Sequence, residues 1–397
     1  MPSAAAPAPA PSAVPPAPGS LRAGLAHPLA LLRWLWLAYV TPGRPGRATT
    51  QTELRCIYTA WLGAFLLKLL GSSWDVSWHF RWLRDDLAPP HLLNSAGTAM
   101  VVGLVLFHSY TGYGVDRRSL RFMQWGIGLF LIAVPIDILN HRVNGLDITS
   151  WSPSHALLYL GTAVMLAGAI RGWWLYAAPG RIRDLVSLGL WLFFVENALF
   201  PNQHQEYGVL SVRAFEAGRT TAEPQLLDFA ASQGASPLEF ALPVPSWVHP
   251  AWLVCAGLLT LVVARKVVDL RWTATVIAAT YLAYRAVMWL GLVALGFPPS
   301  VLPVVLVVGA VLVDLSVSRR LPGWAGGLLV TAAVYAVGAA QEALGLLPPW
   351  NWWSVLPVAV GFSVLWAAVD VVSRSAWFAG WRTAVEPGAL VAGPTAV

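Results

Sequence analysis

The sequence predicts an all-α polytopic membrane protein: about ten transmembrane helices in repeated hairpins, with both termini on the cytoplasmic side. Three observations carry that expectation. Of 397 residues, 57% are hydrophobic and only 11% charged, against roughly 25% charged in a soluble domain. Apolar runs long enough for about 30 Å of hydrocarbon recur from Cys56 onward. Lys and Arg concentrate in alternate loops. Two cysteines exclude a disulfide scaffold, and a net charge of +6 spread through short loops excludes nucleic-acid binding.

The chain opens on an Ala/Pro-rich tail, residues 1–24, with seven prolines by residue 18 and neither the basic nor the apolar region of a signal peptide. Such a composition cannot bury a core and reads as disordered. Residues 25–48 follow as an interfacial segment, because the apolar stretch 27–40 is too short to span and is interrupted by Arg33. Ten spans are then expected: 56–73, 92–110, 122–140, 155–175, 185–201, 248–265, 272–296, 300–318, 323–346 and 353–373. With no water in the hydrocarbon to satisfy the backbone, each must be helical. They divide into hairpins within 53–202, an extracytoplasmic loop 203–246, C-terminal helices within 247–375 and a cytoplasmic tail 376–397.

Eighteen Lys and Arg residues fall on the side of the N-terminal segment and of the loops after even-numbered spans, among them Arg117, Arg118, Arg121, Arg171, Arg265 and Lys266. Five fall on the other side, so the positive-inside rule places both termini in the cytoplasm. The setting this implies is the cytoplasmic membrane of a bacterium. Each even-numbered span starts near proline, as in APPHLLN at 88–94 and SPSHALL at 152–158. Proline suits a first helical turn, and the recurrence suggests one hairpin unit repeated over the first three pairs.

Within that repeat lies a second one. Asp75-x3-His79 is followed by His91, and Asp137-x3-His141 by His155, with corresponding residues 62 to 64 positions apart. Residues i and i+4 share a helix face, so Asp75 with His79, and Asp137 with His141, can grip one ion. The second histidine opens the returning helix on the same side and closes the ring. Two imidazoles and a carboxylate leave coordination positions for water, O2 or substrate. A histidine at a helix end can equally be a satisfied interfacial residue, and each Asp could pair with Arg81 or Arg142. Acids near spans are costly, however, and their recurrence points to metal binding.

These two sets resemble the C subunit of the copper membrane monooxygenases, the particulate methane and ammonia monooxygenase family, over about residues 70 to 170 and by ligand spacing. That subunit carries an Asp-x3-His with a further His about a dozen residues later, then an Asn-x3-His with a His thirteen residues on. Asp75, His79 and His91 match the first set; Asp137, His141 and His155 match the second, with Asp137 where the family has Asn. The resemblance implies copper and a membrane oxidoreductase acting with O2 on a small apolar substrate. This chain departs in its additional helices six to ten and in having no cupredoxin-like segment. The ligand types alone suit iron or zinc as well.

A third set is looser: Glu196, His204 and His249 as auxiliary ligands of a degenerate repeat, with the long insertion as lid, partner-docking surface or plain loop. Lys68 lies two turns below Asp75 on one face and is expected to pair with Asp137 or Glu196; Arg285 is expected to pair with Glu342. His108 and His27 read as interfacial, the tryptophans as an aromatic belt, and Cys56 and Cys255 as unlinked. No GxxxxGK[ST], GxSxG, CxxC or HExxH occurs. Three readings follow: a metal-dependent membrane oxidoreductase, a transition-metal binding or transport protein without redox catalysis, and an accessory subunit. Partners are then the bilayer, other membrane subunits or a second copy.

Overall fold

The computed structural model describes residues 28–39, 48–79, 87–144, 150–216, 245–297 and 300–382. The tail 1–24, the loop stretches 80–86, 145–149 and 217–244, and residues 383–397 lie outside them, as do the side chains of His79, His141 and His204. Among the described residues all regular structure is helical. Nine helices among the described residues are long and apolar enough to cross a membrane, and a tenth apolar helix there is shorter.

A short helix α1 (Pro28–Tyr39) stands where the interfacial segment is expected. The bundle proper comprises α2 (Gln51–His79), α3 (Pro89–Thr111), α4 (Arg117–Asn144), α5 (Pro153–Tyr176) and α6 (Arg181–Glu216). It continues with α7 (Val248–Val268), α8 (Thr273–Ala294), α9 (Val304–Ser318), α10 (Gly323–Ala343), α11 (Val355–Ser373) and a final turn, α12 (Ala376–Trp381). Helix α2 begins on a capping box: Thr50 Oγ1 accepts from the Glu53 N–H at 3.3 Å, and Glu53 accepts in return from Thr50 N at 2.9 Å. Prolines open α3 and α5 as the sequence indicates.

Three elements depart from the sequence reading. Helix α6 runs on through Pro201 to Glu216, so the first part of the expected loop 203–246 is helical. Proline displaces carbonyls in the preceding turn, and Ala198 O beside this break takes the Trp252 indole N–H at 2.5 Å. Helix α9 starts only at Val304, because Pro303 disfavours helix at Leu302. The non-helical stretch before it is tied by side chains: Gln341 donates to Leu302 O at 3.1 Å, and Arg285 to Val301 O at 3.3 Å. Buried partners of this kind are what irregular backbone at membrane depth needs. Helix α7 contains a π-helical segment, Leu253–Leu258.

The strongest packing is within the hairpins α2–α3 and α4–α5. Helix α6 touches both of them, through α2 and α5, and also touches α7 and α8. The other end of the bundle is locked by ion pairs. Arg171 pairs with Asp116, both side chains fully buried, and its Nε donates to Trp381 O at 2.9 Å. Arg265 pairs with Asp314 at 3.2 Å, and Lys266 with Asp370 at 2.8 Å. Three cations counted from the sequence as topological signals are therefore also structural. Several tryptophans assigned to the belt are core residues too: Trp173 and Trp350 are buried, as are Trp61 and Trp366, while Trp247 and Trp353 remain exposed. Cys56 and Cys255 are both free.

Candidate functional site

The two hairpins are built in one register, and glycine sets it. Gly97 lies six residues after His91, and Gly161 six after His155. A methyl group on Gly97 would come within 2.7 Å of Ala64 O and 3.0 Å of Lys68 N. On Gly161 it would come within 2.8 Å of both Gly126 O and Phe130 N. Ala64 and Lys68 stand eleven and seven residues before Asp75, and Gly126 and Phe130 stand eleven and seven before Asp137. Close approach through small residues is how helices associate where lipid offers no hydrophobic drive. Here it brings the same two positions together twice.

The result is a matched pair of contacts. His91 Nε2 lies 2.9 Å from Asp75 Oδ1, and His155 Nε2 lies 3.5 Å from Asp137 Oδ1. All four side chains keep partial exposure, between 17% and 35%, so neither pair is sealed in the core. Each Asp meets the histidine of its own hairpin, so the two contacts are separate. Ser152 caps α5 and accepts from His155 N at 3.2 Å, and the His155 ring stacks on Tyr159 with centroids 6.3 Å apart. His79 closes α2 four residues after Asp75; His141 follows Asp137 by four within α4, which continues to Asn144.

The geometry admits a shared ion. Two ligand atoms about 2.0–2.1 Å from one metal, at tetrahedral or right angles, lie about 2.8–3.4 Å apart. The first pair falls in that range, and the second at its edge. Imidazole nitrogen with carboxylate oxygen suits copper(II), iron or zinc. Among the described residues no group of three or more His, Cys, Asp or Glu side chains gathers in ligand geometry. Each hairpin thus shows two donors, and the third of each set, His79 or His141, has its side chain outside the described residues.

The remaining candidates sit elsewhere. Lys68 turns from both acids expected for it: Nζ donates to Asn94 Oδ1 and Thr98 Oγ1, each at 2.9 Å, and lies 4.0 Å from the centre of the Phe130 ring. Thr98 gives its own hydroxyl proton to Asn94 O at 3.0 Å, which leaves its oxygen to accept from Lys68. Since Phe130 occupies in α4 the position Lys68 occupies in α2, this contact joins the two hairpins at equivalent points.

Glu196 is buried and accepts from Ser73 at 3.0 Å and Gln203 at 2.8 Å. Tyr284 continues the chain by donating to Ser73 at 2.8 Å. His249 is buried with Nδ1 accepting from the Trp350 indole at 3.1 Å. In the third hairpin Gly257 packs on Leu199, a register the first two do not share. Arg285 addresses the Tyr281 and Ser300 hydroxyls, while Glu342 accepts from Trp350 N at 3.4 Å, so the expected Arg285–Glu342 pair is replaced. His108, read as interfacial, is fully buried, with Trp61 donating to Nε2 at 2.9 Å and Nδ1 facing Tyr113 O at 2.8 Å. That arrangement fixes the neutral Nδ1–H tautomer.

Sequence reasoning missed Gly97 and Gly161 as the residues that set the pairs, although their common offset from the histidines was readable. Comparison with protein-family models, with curated proteins and with solved structures returns no match for this chain.

Proposed function

We propose that this chain is a bacterial cytoplasmic-membrane protein of ten spanning helices, termini inside, that binds a transition-metal ion at the outer end of each of its first two hairpins. Asp75, His79 and His91 hold one ion; Asp137, His141 and His155 hold the other. The observation that carries the reading is the repeated Asp–His approach across two hairpins of identical register. A surface histidine satisfied by chance has no reason to recur with the same acid, the same glycine and the same helix start.

Copper is the ion the ligand spacing favours, through the resemblance to the copper membrane monooxygenases, with iron or zinc as alternatives. A bound copper or iron ion supplies one-electron and O2 chemistry. The protein's part is to fix imidazole and carboxylate on two packed helices, keep the site partly open, and leave apolar surface beside it for a small lipid-dissolved substrate. Close packing at Gly97 and Gly161, six residues or about 9 Å below the histidines, closes the inside of each hairpin and favours a terminal site over a transport path.

The test is metal analysis of the purified full-length protein, wild type against His91→Ala plus His155→Ala. Two ions per chain in the wild type, lost in the variant, are expected. Equal metal content in both proteins would overturn the reading. O2 consumption with candidate hydrocarbons or ammonia then separates an oxidoreductase, or a subunit of one, from a binding protein without redox chemistry.

A further inference from the structure

At the end of the bundle opposite the Asp–His pairs, where α5 ends and α6 begins, two arginines share one indole, and the metal reading uses neither. The Trp173 indole N–H donates to Arg183 O at 2.9 Å, which ties the first turn of α6 to the last turn of α5. The Arg183 guanidinium then lies over the neighbouring Trp174, with Cζ 3.8 Å from the ring centre. Arg382, just past α12, reaches the same ring from another part of the chain, with Cζ at 5.8 Å. It is held there by Nη2, which donates to Lys266 O at 2.8 Å and to Val267 O at 3.2 Å.

Two cations on one ring repel each other, and the acids at this end are mostly engaged elsewhere. Asp116 is bound to Arg171 and the Ser119 N–H, Asp314 to Arg265 and Thr275, and Asp370 to Lys266 and the Gly323 N–H. Asp269 pairs with Arg265 at 2.9 Å, and Glu53 accepts from Thr50 at the start of α2. Asp184 is the acid left to act on Arg183, yet among the described residues it makes no ion pair within 4.0 Å. Against its single charge stand Arg181, Arg183 and Arg382. Arg183 Nε is moreover buried with no hydrogen-bond partner among the described residues, a costly state for such a donor. The chain beside it, residues 178–182, is exposed. An orphaned guanidinium donor, a second guanidinium across the ring and an open approach suit an anion with several charged oxygens, which can accept from both forks at once.

We infer that Arg183 and Arg382 hold one phosphate group between them beside Trp174, carried by a lipid headgroup or free in solution. The site needs neither the metal nor its substrate, so it stands apart from the function proposed above. Loss of one charge-assisted hydrogen-bonding group weakens such binding by about tenfold.

Two titrations of the delipidated full-length protein test it: phosphatidylglycerol against diacylglycerol by native mass spectrometry, and radiolabelled inorganic phosphate by equilibrium dialysis. One tight phosphate-bearing probe per chain is expected. Phosphatidylglycerol bound in preference to diacylglycerol, with no uptake of inorganic phosphate, identifies a lipid as the source; uptake of inorganic phosphate identifies a soluble anion. Arg183→Gln should weaken the bound probe by about tenfold, and Arg183→Gln with Arg382→Gln should weaken it further. Arg183→Lys keeps the charge over the ring but lacks the Nε donor; it should fold as the wild type does and bind at an intermediate level. Arg319→Gln with Arg320→Gln, in the turn after α9, should leave binding unchanged. Binding of neither probe, equal binding of the two lipids without phosphate uptake, full affinity in Arg183→Gln, or equal loss in the Arg319, Arg320 control would each overturn the inference.

Discussion

Alanine at Gly161 would put a methyl group 2.8 Å from Gly126 O, 2.8 Å from Phe130 N and 3.1 Å from Phe130 Cα. All three are backbone atoms, so no rotamer change relieves the contact. Reaching an ordinary separation of 3.4 Å requires α4 and α5 to part by about 0.6 Å, and overpacking of this kind costs about 1–3 kcal/mol. Helix propensity alone favours alanine over glycine by about 1 kcal/mol, which masks part of the loss. Gly128→Ala is the matched control, because it takes the same propensity gain with nothing to strike. The difference between the two variants isolates the packing term, about 1–3 kcal/mol, or on the order of 1–4 °C in apparent melting temperature. Thermal unfolding followed by tryptophan fluorescence reads it, with metal analysis in parallel. As the hairpin opens, the 3.5 Å Asp137–His155 contact moves out of range of a shared ion, and metal content should fall from two to one. Equal melting of Gly161→Ala and Gly128→Ala with unchanged metal would refute the claim that this crossing sets the site.

Four further outcomes are expected. Asp116→Asn leaves the buried Arg171 without its counter-charge and should destabilise by about 3–5 kcal/mol, seen as lower yield and melting temperature. Asp116→Leu with Arg171→Met should recover much of that loss. Lys68→Met strands the Asn94 carbonyl in the α2–α3 hairpin, at about 1–3 kcal/mol, and in metal titrations should affect the Asp75–His91 site more than the Asp137–His155 site. Thr50→Val removes a helix cap and should cost about 1 kcal/mol, read as faster amide exchange over residues 50–54. Copper(II) added to the metal-free protein should quench tryptophan emission, since Trp78 follows Asp75 by three residues and Trp151 precedes His155 by four; in the His91→Ala, His155→Ala variant the quenching should be absent.

Each of the ten expected spans coincides with a helix, because a long apolar run leaves the backbone no other way to satisfy itself. Helix ends were less legible. The QHQEYG stretch after Pro201 reads as loop by polarity, yet α6 continues through it, and α9 loses its first turn to Pro303. At the candidate site, the repeat of acid and histidines was readable and the structure seats each acid against its own hairpin's histidine. What the sequence concealed were contacts between distant positions with no shared period. Lys68 finds an amide and a hydroxyl on α3 instead of an acid, and Arg171, Arg265 and Lys266 find acids near helix ends. Charge partners of this sort depend on which helices are neighbours, and hydropathy carries no such information.

The final turn α12 bears on how the protein is made. Arg171 Nε, deep in the second hairpin, donates to the carbonyl of Trp381; Arg118 reaches Gly380 O, and Arg382 returns to Lys266 O at 2.8 Å. Helices α4, α5 and α7 thus wait for residues that leave the ribosome 262, 210 and 116 positions later. Until then the buried Arg171 guanidinium lacks one of its partners. Synthesis of α12 acts as a checkpoint: products ending before Ser375 should insert but pack loosely, and become preferred substrates for membrane quality-control proteases.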